Sequence, residues 1–135
     1  MSYLIWDKSL SVEIDSIDRE HQKLFKMIND LYEHIGKKSN NELISDLIKD
    51  MKDYTKHHFT TEESYFRQLN YPAYEEHKAE HDEFVAKVTD LEKRFNAGRL
   101  IITFEITTFL KDWIKKHIKG TDMKYVDFLK KRGIK

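Results

Sequence analysis

The sequence predicts an all-α protein, folded as an antiparallel up-down-up-down four-helix bundle with an extended N-terminal arm and a short C-terminal helix. Apolar residues recur with the 3.6-residue period of a helix in four separate segments. Gly36, Pro72 and Gly98 separate these segments, because glycine and proline interrupt helices. Since the connections between the segments are short, neighbouring helices are expected to run antiparallel.

The length and composition limit the classes of protein to which this chain can belong. Its 135 residues predict a single domain that covers 1–135. The 24 basic and 24 acidic residues balance, which argues against nucleic acid as a partner. The chain has no cysteine, which excludes disulfides and thiolate metal sites. No stretch predicts a membrane span or a secretory leader, so we expect a cytoplasmic protein.

The first half of the chain is expected to form the arm and two helices. The arm covers 1–17, which show no sustained helical period. The first helix is predicted over 18–35, with Asp18 as its N-cap and a glycine directly after it. The second helix is predicted over 41–69 and ends before an Asn-Tyr-Pro turn.

The second half is expected to form two more long helices and a short one. The third helix is predicted over 72–96, because proline is tolerated in the first turn of a helix. The fourth is predicted over 100–119, with Gly120 as its stop. A short amphipathic helix over about 122–131 then packs against the end of the bundle.

The inward faces of the predicted helices carry side chains of the metal-ligating type. Two pairs are spaced i, i+4, which places both members on one helix face: His58 with Glu62, and His77 with His81. In an antiparallel bundle the start of the first helix, the end of the second, the start of the third and the end of the fourth lie together. The whole set therefore converges at one end of the bundle: His21, His58, Glu62, His77, His81, His117 and Asp122.

The remaining two histidines fall on polar helix faces. His57 shares its face with Asp50 and Asp53, and His34 shares its face with Lys37. Both are therefore predicted to be solvent-exposed and not to bind metal.

A buried metal centre explains the inward set better than ordinary core packing. A single histidine on an apolar stripe is usually a hydrogen-bonded core residue, but each buried polar group without a partner costs on the order of several kcal/mol. A zinc ion takes about four ligands, too few for this set. Imidazole and carboxylate also suit iron. Two six-coordinate irons would accommodate five imidazoles, two bridging carboxylates and a bridging oxygen, with one coordination position left open. Ferritin-like di-iron bundles use Glu-x-x-His motifs, and no histidine here follows a glutamate at that spacing.

The order and spacing of these residues resemble the hemerythrin family over nearly the whole chain. The motifs that carry the resemblance are His21, His58-x-x-x-Glu62, His77-x-x-x-His81 and His117-x-x-x-x-Asp122, and Trp6-Asp7 with Asp18-x-x-His21 resemble its bacterial single-domain type. The resemblance implies two iron ions as the cofactor, bridged by Glu62, Asp122 and an oxo or hydroxo group. The other ligands would divide between the ions, with His77, His81 and His117 on one iron and His21 and His58 on the other.

The resemblance also implies the function. Dioxygen would bind reversibly at the open position of the iron with two histidines, for oxygen carriage, storage or delivery rather than for catalysis. Small anions such as azide are expected to compete there in the oxidised protein. The expected oxygen pocket consists of Leu24, Phe59, Trp113 and Ile114. An oxygen sensor and an enzyme of the oxidase or peroxidase type are the alternatives, with iron storage a weaker one because a closed site exchanges iron slowly.

Overall fold

Four helices form the body of the protein in the computed structural model, which describes residues 4–37, 40–98 and 105–134. They are α1 (Asp15–Gly36), α2 (Asn41–Leu69), α3 (Tyr74–Asn96) and α4 (Glu105–Lys116). α1 packs against α2 and α4, α2 against α3, and α3 against α4, so the four helices form a closed ring. The described residues form no β-strand. The predicted fold class is confirmed.

Asparagine residues mark both ends of α2. At its start, the Asn40 carboxamide oxygen accepts a hydrogen bond of 2.8 Å from the Leu43 backbone N–H. At its end, Asn70 adopts a left-handed conformation with φ 56° and donates its N–H to the Phe66 carbonyl. α3 begins at Tyr74, two residues later than predicted, because the residues at 72–73 form the turn between the helices.

The start of α1 differs from the prediction. The helix begins at Asp15 rather than at 18, and its cap position is Ile14, which makes no side-chain bond to the helix. Asp18 therefore does not cap the helix. Its carboxylate instead accepts hydrogen bonds from the Ser11 hydroxyl, at 2.5 Å, and the Val12 N–H, at 2.9 Å. These bonds hold the arm against the first turn of α1.

The predicted helix stop at Gly120 is also wrong. The chain continues from α4 into a π-helical turn, His117–Thr121, then a 3-10 turn, Asp122–Tyr125, and α5 (Val126–Lys130). The helix predicted over 122–131 is thus two short elements. Residues 100–104 of the predicted fourth helix lie outside the described residues. The described helices include none that is long and apolar enough to cross a membrane.

The apolar core has two parts, which lie on opposite sides of the candidate ligands. The larger part fills the bundle, and its Phe59 stacks on His81. The smaller part, formed by the arm, the end of α2 and the C-terminal segment, includes Phe66 and Tyr125, and both of these rings contact His77. The ligand-type residues are therefore enclosed between two apolar layers.

Candidate metal centre

All the side chains predicted as ligands come together in the interior of the protein, and each is at most 3% exposed. They form two groups, and within each group the potential ligand atoms lie within 4.8 Å of one another. One group contains Glu62, His77, His81, His117 and Asp122, and the other contains His21, His58 and Glu62. Glu62 belongs to both groups, so the two groups are adjacent.

The π-helical turn explains how His117 and Asp122 reach the same place. In a regular α-helix, residues five positions apart point about 140° away from each other. Here the Asp122 N–H donates to the His117 carbonyl, the i, i+5 bond of a π-helix. The wider turn brings His117 Nε2 to 3.1 Å from Asp122 Oδ1. The other ligand pairs, on α2 and α3, need only regular helical spacing.

The two carboxylates each face imidazoles of both groups. Asp122 Oδ1 lies 2.9 Å from His77 Nε2, and Asp122 Oδ2 lies 3.2 Å from His21 Nε2. Glu62 Oε1 lies 3.4 Å from His58 Nε2 and 3.3 Å from His81 Nε2. Both acids are thus shared between the potential ligands of the two groups.

Most of the atoms that face the centre have no hydrogen-bond partner among the described residues. These atoms are Nε2 of His58, His77, His81 and His117, Oε1 of Glu62, and both carboxylate oxygens of Asp122. Leaving buried polar atoms without partners costs about 1–3 kcal/mol each. Bound cations would satisfy all of them at once, and imidazole with carboxylate is a donor set that suits iron. The residues present therefore fit the two-iron group.

Three glutamates that the sequence analysis did not identify hold the outer nitrogens of the ligand imidazoles. Glu20 Oε1 lies 2.8 Å from His58 Nδ1, and Glu63 Oε2 lies 2.8 Å from His81 Nδ1. Glu80 Oε1 lies 2.9 Å from His117 Nδ1. A carboxylate at Nδ1 fixes the tautomer, so that Nε2 carries the lone pair toward the centre.

The position of these glutamates in the sequence follows a rule. Each of these glutamates is adjacent in sequence to a ligand-type residue of its own helix. Its contact, however, is to a histidine of the next element along the bundle: α2 for Glu20, α3 for Glu63, and the π-helical turn after α4 for Glu80. Adjacent helical residues point about 100° apart, so a residue beside an inward ligand faces the neighbouring helix. Adjacency to a predicted ligand is not a sufficient signal, because Glu76 is also adjacent to one, His77, and is exposed.

Tyr125 is a further contact that the sequence analysis did not assign to the centre. Its buried hydroxyl donates a hydrogen bond of 2.7 Å to Glu62 Oε2. Burial, together with the negative charges of Asp122 and Glu62, raises the pKa of Tyr125 well above its usual value. The phenol therefore stays protonated and remains a hydrogen-bond donor.

In the metal-free centre, carboxylates and imidazoles stabilise each other's charged forms. Burial disfavours the charged imidazole of His117, but the negative charge of Asp122 outweighs burial and raises the pKa of His117 to about 9. Burial and the charge of Asp122 would raise the pKa of Glu62, but His58 and His81 outweigh them and lower it to about 2. Without metal, positive charge on these three imidazoles therefore offsets part of the negative charge of the buried carboxylates.

Two of the predicted pocket residues lie directly against ligand imidazoles. Phe59 stacks on His81 with ring centroids 3.7 Å apart, and Trp113 stacks on His117 at 4.4 Å. Leu24 and Ile114 are buried in the same apolar cluster as Phe59. Trp6 had no predicted role at the centre, yet its ring centroid lies 6.4 Å from that of His21.

The two histidines predicted not to bind metal lie outside both ligand groups. The His57 side chain is 68% exposed, and its Nε2 lies 3.9 Å from Glu20 Oε2. His34 is partly buried rather than fully exposed.

The chain is similar to known proteins over nearly its whole length. Residues 12–129 match the family model described as the hemerythrin HHE cation binding domain. Bacteriohemerythrin from Stenotrophomonas maltophilia is 34% identical over 131 residues, which is 96% of this chain and 84% of that protein. Myohemerythrin from Riftia pachyptila is 35% identical, covering 90% of this chain and 89% of that protein. The crystal structure of a wild-type hemerythrin superposes with a TM-score of 0.88 at 29% identity, covering 93% of this chain and 97% of that one.

Proposed function

The chain belongs to the hemerythrin family, and from this premise we propose that it binds dioxygen reversibly at a pair of iron ions. The observation that carries the proposal is the set of buried imidazole and carboxylate atoms that converge without hydrogen-bond partners among the described residues. Carriage, storage or delivery of oxygen is the proposed role. The cytoplasm is the proposed location, because the iron must be ferrous to bind oxygen and reducing surroundings favour that state.

We assign His77, His81 and His117 to one iron, and His21 and His58 to the other. The ring contacts support this division, because the rings of the three-histidine set lie 4.6–5.0 Å from one another and those of the pair lie 4.6 Å apart. Glu62 and Asp122 would bridge the ions, since each faces imidazoles of both sets. With this assignment, the iron of the histidine pair has one fewer protein ligand than the iron of the three-histidine set.

When bound, the iron pair supplies two electrons and an open coordination position for dioxygen. The protein holds the imidazoles in place through carboxylates at Nδ1 of His58, His81 and His117. Its apolar wall, which includes Phe59, keeps water away from the ligands. An apolar wall and carboxylates already engaged with imidazoles favour reversible binding over catalysis, so we propose a binding protein rather than an enzyme.

The proposal is tested by absorption spectroscopy of the iron-loaded protein, reduced without air, then exposed to air and degassed. We expect an oxygen-dependent absorption band that appears in air and disappears on degassing. Azide added to the oxidised protein should produce a different band by occupying the same position. A reduced protein that forms no reversible adduct would contradict the proposal, and net oxidation of an added substrate would favour the oxidase alternative.

A further inference from the structure

We propose that Trp6 is the gate through which dioxygen and small anions reach the iron of His21 and His58. The gate belongs to residues 4–10, here called the strap, which lie along α1. This inference rests on the proposed function, in which the open coordination position is on that iron. Trp6 controls entry alone, because it lies outside the ligand groups.

An outer cavity of about 830 Å³ lies between the strap and α1. Leu4, Ile5 and Trp6 form its strap side, and Phe25 and Asn29 are among the α1 residues that line it. A single water molecule occupies only about 30 Å³ in the liquid. The cavity is therefore large enough to admit dioxygen or azide up to the Trp6 side chain.

Two smaller clefts also border the centre, one at His81 and the other at His117, and each has a volume of about 330 Å³. Both histidines belong to the three-histidine set, whose iron has no open position in the proposed assignment. Of these three cavities, the one beside the strap therefore leads toward the histidine pair.

Trp6 separates this cavity from His21. The Trp6 ring packs edge-on against Phe25, with 5.3 Å between the centroids and 75° between the planes, and its centroid lies 6.4 Å from that of His21. The Trp6 side chain is partly exposed, whereas His21 is only 1% exposed. Trp6 thus has the cavity on one side and a ligand imidazole on the other, so entry from the cavity requires the indole to move.

The strap is fixed at both of its ends. At one end, the Asn29 carboxamide accepts a hydrogen bond of 2.7 Å from the Leu4 N–H and donates one of 2.9 Å to the Leu4 carbonyl. The side chains of Leu4 and Leu10 are buried in the core of the bundle, while Ile5 is 62% exposed. Trp6 is therefore held in a short segment between two anchors, and release of the Leu4 anchor frees it.

The strap opens more easily than the helices beside it. α1 and α2 carry His21 and His58, and continuous backbone hydrogen bonds hold both helices. In the described part of the chain, hydrogen bonds join the strap to the rest of the protein only at Leu4. Local opening favours segments with few such bonds. A fluctuation that releases Leu4 from Asn29 therefore moves Trp6 outward without disturbing the ligands.

The entry rates of azide and dioxygen test the gate. The oxidised, iron-loaded protein is mixed with azide and the reduced protein with dioxygen, and stopped-flow absorption gives the association rate constants. Trp6→Ala should raise both constants about tenfold, because the path no longer waits for the gate to open. The control Ile5→Ala shortens an exposed side chain of the same strap and should react like the wild type. Iron content and the spectrum of the oxidised form establish that the centre is intact in both variants.

Two outcomes of this experiment would overturn the gate. One is a pair of association rate constants for Trp6→Ala equal to those of the wild type. The other is a larger acceleration in Trp113→Ala than in Trp6→Ala, because Trp113 lines the cleft at His117 and entry would then take place there.

Hydrogen exchange of the metal-free protein tests the Leu4 anchor without iron. Asn29→Ala removes both hydrogen bonds to Leu4 and should speed exchange of the strap amides about tenfold. The control Gln22→Ala removes an exposed polar side chain that lines the same cavity, and its strap should exchange like that of the wild type. When loaded with iron and oxidised, Asn29→Ala should also bind azide faster than the wild type. Unchanged exchange, or faster exchange without faster azide binding, would contradict the proposal.

Failure of the gate and failure of the proposed function give different results. A reduced wild-type protein that forms no oxygen adduct reversed by degassing would refute the proposed function. Azide binding to the oxidised protein and hydrogen exchange of the metal-free protein would still report on the strap.

Discussion

At the scale of single residues, a shift of one position in the sequence changes the role of a side chain. Glu62 faces the centre, while Glu63 reaches across to His81 Nδ1. His58 is buried, while His57 is 68% exposed. The inward positions of the ligand-type side chains were predictable because helical periodicity is a local property. The outer glutamates were not predicted, because their contacts depend on how the next helix is rotated and placed.

The pair of adjacent histidines gives the first prediction. His58→Ala should lose at least one of about two irons per chain, because its Nε2 faces Glu62 in the centre. His57→Ala should keep both, because His57 lies outside the ligand groups. Iron is measured by elemental analysis against protein concentration. Equal loss in the two variants would contradict the assigned faces of α2.

The outer carboxylates give the second prediction. Glu63→Ala removes the partner of His81 Nδ1 and should weaken metal binding about 10–100-fold, because the imidazole loses its fixed orientation and part of its basicity. The control is Glu75→Ala, an exposed residue of the first turn of α3. Competition with a chelator measures both affinities. Similar affinities in the two variants would show that the contact to His81 does not tune the site.

At the scale of elements, the segment after α4 shows what the sequence did not predict. The sequence predicts a helix stop at Gly120, because glycine often follows a helix. In the structure Gly120 lies inside the π-helical turn and does not adopt a positive φ. Gly98, in contrast, has φ +73° just after α3 and ends that helix as expected. Composition alone does not distinguish these two uses of glycine.

Substitution of the two glycines tests this difference. Gly120→Ala should stabilise the protein by about 0.5–1 kcal/mol, because a Cβ there meets no atom within 4 Å and alanine has less freedom in the unfolded chain. Gly98→Ala should destabilise by about 1 kcal/mol, because its backbone is left-handed. Urea unfolding measures both free energies. A loss of stability and iron in Gly120→Ala would show that the turn requires glycine.

At the scale of the whole molecule, the arm and the C-terminal segment close the centre. The sequence places the ligand-type residues at one end of the bundle and predicts a short C-terminal helix against the bundle end. The structure adds an apolar layer there, which contains Val12 and Ile14 from the arm and Tyr125 and Leu129 from the C-terminal segment. The sequence predicted where the four helices lie, but not that the two terminal segments meet over the centre. Such contacts join residues far apart in the chain and leave no periodic signal.

This enclosure makes the stability of the whole protein depend on pH and metal together. The pKa of His117 is raised to about 9 in the metal-free protein, against about 6.5 when unfolded. Its contribution to stability is therefore complete below about pH 6.5 and is lost as the pH rises through 9. Bound iron needs the deprotonated imidazole, so iron binding should strengthen over the same range. Calorimetry should show that the Tm of the metal-free protein falls between pH 6 and 9, while the rise in Tm caused by anaerobically added ferrous iron increases. A metal-free protein with the same Tm at pH 6 and at pH 9 would show that His117 is not protonated in the folded state.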